Sequence, residues 1–143
     1  MKYILLLSLW CAATSFVPTA NADDIVGVWK NGTGKGHIQI YRQSGKFYGK
    51  IIWLRDHLDR TGKPKVDHLN SDPRERNKPL MGLVMLKDFQ FDEGEWSGGR
   101  IYNPGDGREY KALIRLKDSR TLAVRGFIGF SALGKTDTWT RVK

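Results

Sequence analysis

From residue 25 onward, apolar and polar residues alternate with period two, and Gly, Pro, Asn and Asp cluster between the alternating runs. Alternation of this kind puts one face of a strand in a core and the other in water. It predicts eight strands, over residues 25–29, 37–42, 47–54, 80–86 (extending toward 91), 95–102, 108–116, 121–129 and 136–142. The third run, Phe47 to Leu54, is rich in β-branched and aromatic residues, with Gly49 as a bulge or a site of close backbone approach. The stretch 96–110 is the clearest hairpin: Pro104 presets φ, Gly105 is expected to take the positive φ of a type II turn, and Asp106-Gly107 is a second turn signal.

One segment breaks the pattern. Residues 55–78 are polar and charged, with Gly62, Pro64 and Pro73 as breakers. Loops of that length are mostly functional or disordered. Asp72-Pro73 is suited to start one helical turn there, with Asp72 as N-cap and Pro73 at the first helical position. Elsewhere the connections are short and no long helix is indicated. Sequential short strands pair antiparallel with their neighbours. An eight-stranded meander removes its edges by closing into an up-and-down barrel. The predicted fold is therefore all-β, an eight-stranded antiparallel up-and-down barrel with one long loop; a two-sheet sandwich is the rival.

The N-terminus changes the picture of where this barrel works. Met1-Lys2 precedes an apolar run from Tyr3 to Val17, and Thr19-Ala20-Asn21-Ala22 follows, with small residues where a signal peptidase reads. Residues 1–22 are read as a signal peptide cleaved after Ala22, leaving residues 23–143 as a single domain in the periplasm or outside the cell. The run is short of the roughly 20 residues of a membrane span, so an integral membrane protein is not expected. Trp10 before Cys11 is too large for a lipoprotein signal. Cleavage removes Cys11, the one cysteine, so the exported chain has no disulfide, thiolate nucleophile or cysteine ligand. The formal charge of the full chain is +9, and an anionic envelope component is a possible partner.

Gly27-Val28-Trp29 in the first strand and Trp139-Thr140-Arg141 in the last resemble the lipocalin and calycin arrangement. That resemblance implies a barrel floor in which Gly27, Trp29 and Arg141 are structural, the Arg packing across the indole. The wider chain resembles the bacterial exported family of unknown function DUF2147. The resemblance rests on Gly27-Val28-Trp29, the run Phe47 to Leu54, Asp67-His68-Leu69-Asn70 with Asp72-Pro73, Pro79-Leu80-Met81-Gly82, the run Trp96 to Pro104, the run Leu122 to Gly129, and Thr138 to Arg141. It implies a lipocalin-like barrel and no established activity. Ser71 departs from the family pattern, which carries Pro after the Asn of that loop segment.

Catalytic chemistry finds little support. There is no Gly-x-Ser-x-Gly, and Ser131 reads as a loop residue. His57, Asp59, Asp67, His68 and Asp72 share the long loop, but their spacing matches no metal site, so neither metal nor cofactor is expected. Asp67 and Asp137 are the conceivable acid–base pair, with no sequence reason to meet. Basic residues are dispersed and aromatics alternate as core positions do, which argues against nucleic acid. On strict alternation, Phe47, Ile51 and Trp53 share a face, as do Trp96, Arg100 and Tyr102. A charge among apolar neighbours is costly to bury unpaired, which singles out Arg125: it either receives an anionic head group or lies outward and solvated, the commoner state of an Arg, on a strand whose other face (Leu122, Val124, Ile128) fills the core.

The reading that follows is a monomeric periplasmic protein holding an apolar or amphipathic small molecule, such as a fatty acid, with Trp53, Tyr102, Tyr110 and Arg125 as the ligand-binding residues. Two others stand beside it. One is an envelope interaction protein with a closed barrel and a basic surface. The other is a small-molecule enzyme using Asp or His from the long loop.

Overall fold

The computed structural model describes residues 19–143. Of the expected leader 1–22, all but residues 19–22 lie outside the described residues. A short 3-10 helix, Ala22–Ile25, precedes eight strands: β1 Gly27–Lys30, β2 Gly36–Gln43, β3 Lys46–Leu54, β4 Val84–Asp92, β5 Glu95–Asn103, β6 Arg108–Asp118, β7 Thr121–Phe127 and β8 Lys135–Arg141. A second 3-10 turn, Ser131–Leu133, lies between β7 and β8. Every strand pairs antiparallel with the next, and β1 pairs with β8, so the sheet is a closed up-and-down barrel. Closure removes the edges that an open meander of this length would expose.

Up-and-down connectivity sorts the connections between two ends. The turns at Ser44-Gly45, Glu93-Gly94 and Ser119-Arg120 lie at one end with the Ala22–Ile25 helix. The β1–β2 turn, the long β3–β4 loop, the β5–β6 turn and the β7–β8 loop lie at the other. The interior of the first end is packed with Trp29, Phe47, Phe89, Trp96, Ile40 and Leu122, all essentially inaccessible to solvent. Edge-to-face contact of Phe47 with Trp96 fixes the arrangement of this aromatic layer.

Strict alternation is interrupted along β3, β4, β5 and, between Leu116 and Asp118, β6. Between the pairs Ile38–Ile51 and His37–Trp53, β3 advances two residues while β2 advances one, leaving Ile52 extra. Between Phe47–Phe89 and Gly49–Leu86, β4 holds an extra residue, and Asp88 takes φ 62° there. Between Trp96–Ile114 and Gly99–Ala112, β5 holds one more, with Gly98 at φ 72°. Each bulge reverses which side chains face inward beyond it.

Two local expectations are corrected. In the β5–β6 turn the left-handed residue is Gly107 (φ 71°), not Gly105, because the Asn103 carbonyl accepts from the N–H of Gly107 at 2.8 Å and closes a longer turn. The Asn103 side chain meanwhile accepts from the N–H of Gly105 at 2.9 Å, which holds that residue out of the type II geometry. The segment after Asp72 forms turns rather than a helix, although Asp72 caps them as expected: its carboxylate accepts from the N–H of Arg74, and from the Arg74 guanidinium as well. That pairing holds the Asp72 carboxyl below its ordinary range.

Candidate functional site

At the loop-bearing end the aromatic packing stops and the barrel opens into a cup of about 440 Å³. That volume falls in the range of small-molecule sites. Its wall is apolar, formed by Ile38, Ile51, Leu54, Met85 and Ile101 over the buried face of Trp139. Its rim carries Asn31, Thr33, Asn103, Tyr110 and Asp137. A floor of large apolar area beneath a few convergent polar groups is the usual composition of a site that holds an amphipathic molecule.

The polar groups are held from behind. Asp137 sits two residues before Trp139 on β8, so both face inward. Its Oδ2 accepts from Trp139 Nε1 at 2.7 Å and from the Gly32 N–H at 3.2 Å. Asn31 Oδ1 accepts from the Gly36 N–H at 3.1 Å and from the Thr33 hydroxyl at 3.1 Å. Tyr110 donates its hydroxyl to Asp106 in a short bond, which pushes the Tyr110 pKa up and holds the Asp106 carboxyl low. Among the described residues, no Lys, Arg or His lines the cup, and Asp137 is its one ionisable acid.

The four residues that sequence reasoning assigned to the ligand do not converge. Tyr110 lines the cup. Trp53 does not: the bulge at Ile52 turns it outward, where it is 41% exposed and packs on His37 with ring centroids 4.4 Å apart. Leu54 takes the inward position in its place. Tyr102 touches the rim, but the bulge at Gly98 puts its side chain on the outer face of β5. There it is 7% exposed under the long loop, and its hydroxyl donates to Asp67 Oδ1 at 2.7 Å. Burial, and then the bond to Asp67, push the Tyr102 pKa up to about 12. Arg125 also faces outward. Its guanidinium donates to the Ser131 carbonyl (2.6 Å), the Thr136 hydroxyl (2.7 Å) and the Ala132 carbonyl (3.2 Å), shaping the β7–β8 loop. Of the rim residues, Asp137 was considered only as an acid–base partner of Asp67, and Asn31 was not singled out at all. Asp137 was readable as an inward neighbour of Trp139, whereas nothing in the sequence marks Asn31, which reaches the rim from the β1–β2 turn.

The closed end is built on Arg141. Its Cζ lies 4.2 Å from the Trp29 ring centroid. The guanidinium donates to the carbonyls of Ser119 (2.8 Å), Val26 (3.1 Å) and Asp24 (a short bond), tying three chain segments together. Trp29 Nε1 donates to the Ile25 carbonyl at 2.8 Å. Gly27 adopts φ 145°, and a Cβ there would stand 2.7 Å from Arg141 Nη1 and 2.8 Å from the Lys143 carbonyl, so a side chain at this position would displace the guanidinium.

The long loop is ordered by its acids. Asp59 Oδ1 accepts from the Thr61 and Lys63 backbone and from the Thr61 hydroxyl. Asp67, 1% exposed, accepts from Tyr102 and, through Oδ2, from Asn70 Nδ2 at 2.7 Å. Asp67 therefore lies on the outer face of the barrel wall and Asp137 on the inner, and they do not form an acid–base pair. Nor do His57, Asp59, Asp67, His68 and Asp72 gather: among the described residues no three His, Cys, Asp or Glu side chains could hold one metal ion. No helix among the described residues is long and apolar enough to cross a membrane.

The model of a family described as an uncharacterized protein conserved in bacteria (DUF2147) matches residues 27–141. Among solved structures, the chain is similar to protein HP1028 from the human pathogen Helicobacter pylori, described as belonging to the lipocalin family. The two share 27% identity over 82% of each chain, with a TM-score of 0.72. No functionally curated protein matches the chain.

Proposed function

The chain belongs to the bacterial DUF2147 family, and on that premise we propose that it is a periplasmic binding protein which holds one small amphipathic molecule in the open end of its barrel. The observation that carries the reading is the cup: about 440 Å³ of apolar wall under a rim of preset polar groups. The neighbouring lipocalin-family protein has the same barrel, and barrels of this size accommodate one small ligand. The leader 1–22 would deliver the domain to the periplasm, where a monomer suffices because the cup draws on one chain.

The chemistry of the rim selects the ligand. Asp137 is the one charged group of the cup, and its Oδ1 accepts no bond from the described residues. A ligand with an ammonium or hydroxyl head suits it; a carboxylate, such as that of a fatty acid, meets a like charge. The apolar tail would lie along Ile38, Ile51 and Ile101 and reach Trp139, whose fluorescence reports occupancy. The test is a titration with an alkyl amine, alcohol and carboxylic acid of equal chain length. The amine should bind best and the acid worst. Asp137→Asn, which keeps an acceptor for Trp139, should cut the amine's advantage over the alcohol by about five- to tenfold. A preference for the acid would refute the head-group assignment. Failure of all three to bind would favour the second reading, an interaction protein with a basic surface, for which the aromatic filling of the lower barrel is the supporting observation.

A further inference from the structure

The three most exposed large apolar side chains among the described residues are Ile128 (70%), Phe130 (78%) and Leu133 (77%). All three stand on the single loop between β7 and β8. Solvated loop tips are ordinarily polar, and one exposed apolar residue needs no explanation, but three on one short loop form a patch. The loop is not left to its own conformation. The Arg125 guanidinium binds the Ser131 and Ala132 carbonyls, and the Leu133 and Gly134 N–H groups close turns onto Phe130 and Ser131. The apolar side chains are thus presented to solvent by a preset backbone.

The surroundings are cationic. Residues 121–136 contain Arg125 and Lys135 and no acid. Lys111 is paired across the sheet with Phe127, at the base of the loop. Among the described residues none of these three cations forms a salt bridge: Arg125 spends its donors on neutral oxygens and keeps its charge. The acids nearest the loop, Asp106 and Asp137, keep their charge but form no salt bridge with these cations among the described residues. Asp106 accepts from the Tyr110 hydroxyl and the Arg108 N–H, and Asp137 from Trp139 and Gly32. The loop also stands on the rim of the cup. Tyr110 and Asn103 line both the cup and the depression behind Leu133.

We propose that the β7–β8 loop is a bilayer-docking tip, which inserts Ile128, Phe130 and Leu133 into an anionic phospholipid surface while Lys111, Arg125 and Lys135 meet the headgroups. Apolar side chains ringed by cations fit that boundary: the side chains reach the acyl region, and each nearby cation gains from the negative surface potential. A protein partner would have to offer both an apolar pocket and an acidic collar, whereas an anionic bilayer offers both everywhere on its surface. Docked in this way, the barrel would turn its open end toward the membrane. The proposal stands on the loop alone and does not require the cup to hold a ligand.

The test is co-sedimentation with vesicles of phosphatidylcholine mixed with phosphatidylglycerol, against vesicles of phosphatidylcholine alone. Wild type and Phe130→Asp/Leu133→Asp are both purified from the periplasm of an expressing bacterium, so that any leader is processed alike. The wild type should bind the anionic vesicles, lose binding as salt is raised, and bind the neutral vesicles more weakly. The double variant should bind about tenfold or more weakly and keep the wild-type Tm, since both side chains are exposed. A milder variant, Lys135→Gln, should weaken binding to the anionic vesicles alone. A wild type that stays in the supernatant, or a double variant that sediments as well as the wild type, would overturn the proposal. So would a self-association abolished by the double variant in a protein that ignores vesicles, which would assign the tip to a second copy of the chain.

Discussion

Replacing Tyr102 with Phe tests how the long loop is fastened to the barrel. The hydroxyl donates to Asp67 at 2.7 Å, and both residues are buried, at 7% and 1% exposure. Asp67 is in turn bonded to Asn70, and the Asn70 carbonyl accepts from Arg76 Nε at 2.7 Å, so one phenol anchors the loop from residue 67 to residue 76. A hydrogen bond to a charged acceptor contributes about 1.5–3 kcal/mol. The Tyr102 pKa is pushed up to about 12, first by burial and then by the bond to Asp67, so ionising the phenol costs the folded protein more than the unfolded chain. Because the folded pKa is the higher one, this contribution is whole below pH 10 and is lost as pH rises toward 12.

Tyr102→Phe should therefore lower the denaturant-derived stability by about 2 kcal/mol at neutral pH. The variant should also lose part of the alkaline decline that the wild type shows between pH 10 and 12. Tyr48 and Tyr110, whose pKa values are also raised, by Asp88 and Asp106, titrate in both proteins and cancel in the difference. The assay is equilibrium urea unfolding across that pH range, with tyrosinate absorbance followed in parallel. A variant as stable as the wild type, or two alkaline slopes that coincide, would refute the strap.

Trp29→Ala should cost about 3–5 kcal/mol as truncation of a fully buried aromatic, and Arg141→Ala less, though with a clear fall in Tm; denaturant midpoints that barely move would refute the floor. At Gly107, φ is 71° and a Cβ would stand 2.0 Å from the Leu69 carbonyl, so Gly107→Ala should free the long loop from the β5–β6 turn and speed its cleavage by trypsin while the barrel stays folded. Protein recovered from the periplasm should begin at Asp23 and titrate no thiol; an intact mass that retains the leader or carries a lipid would refute the expected processing.

The strand count, order and limits were legible because closed meanders leave the chain few choices. Each strand alternates over most of its length, and each turn at the packed end is short and marked by Gly or Ser. The observed strands coincide with the alternating runs at four ends and depart from them elsewhere by at most four residues, counting the fourth run to 91. Which way side chains face was less legible, and the reason is specific. A bulge inserts one residue without altering composition, so Ile52 looks like any β-branched strand residue although it turns Trp53 out and Leu54 in. Gly98 carries a weak signal, as a glycine inside a strand. Asp88, at φ 62° with its carboxylate accepting from the Tyr48 hydroxyl, carries none. Before the bulge in β3 the alternation places Phe47, Gly49 and Ile51 inward; beyond it, it fails.

That distinction decides the chemistry of the cup. A chain with formal charge +9 invites an anionic ligand, and Arg125 on an apolar strand invites it further. Yet net charge describes the surface, and the cup is lined by the side chains that the bulges turn inward. On β8 no bulge intervenes: Lys135, Asp137 and Trp139 pair with Gly126, Val124 and Leu122, the inward row of β7. The row places an acid against the indole at the base of the cup, while Arg125, one position out of phase, is directed to the loop. An engineered shift of β8 by one residue would exchange Asp137 for Thr136 or Thr138 in the cup. The selectivity proposed for an amine over an acid therefore rests on the register of the last strand, which buried Trp139 pins, and moving the acid one position out of phase, Thr136→Asp with Asp137→Thr, should abolish it.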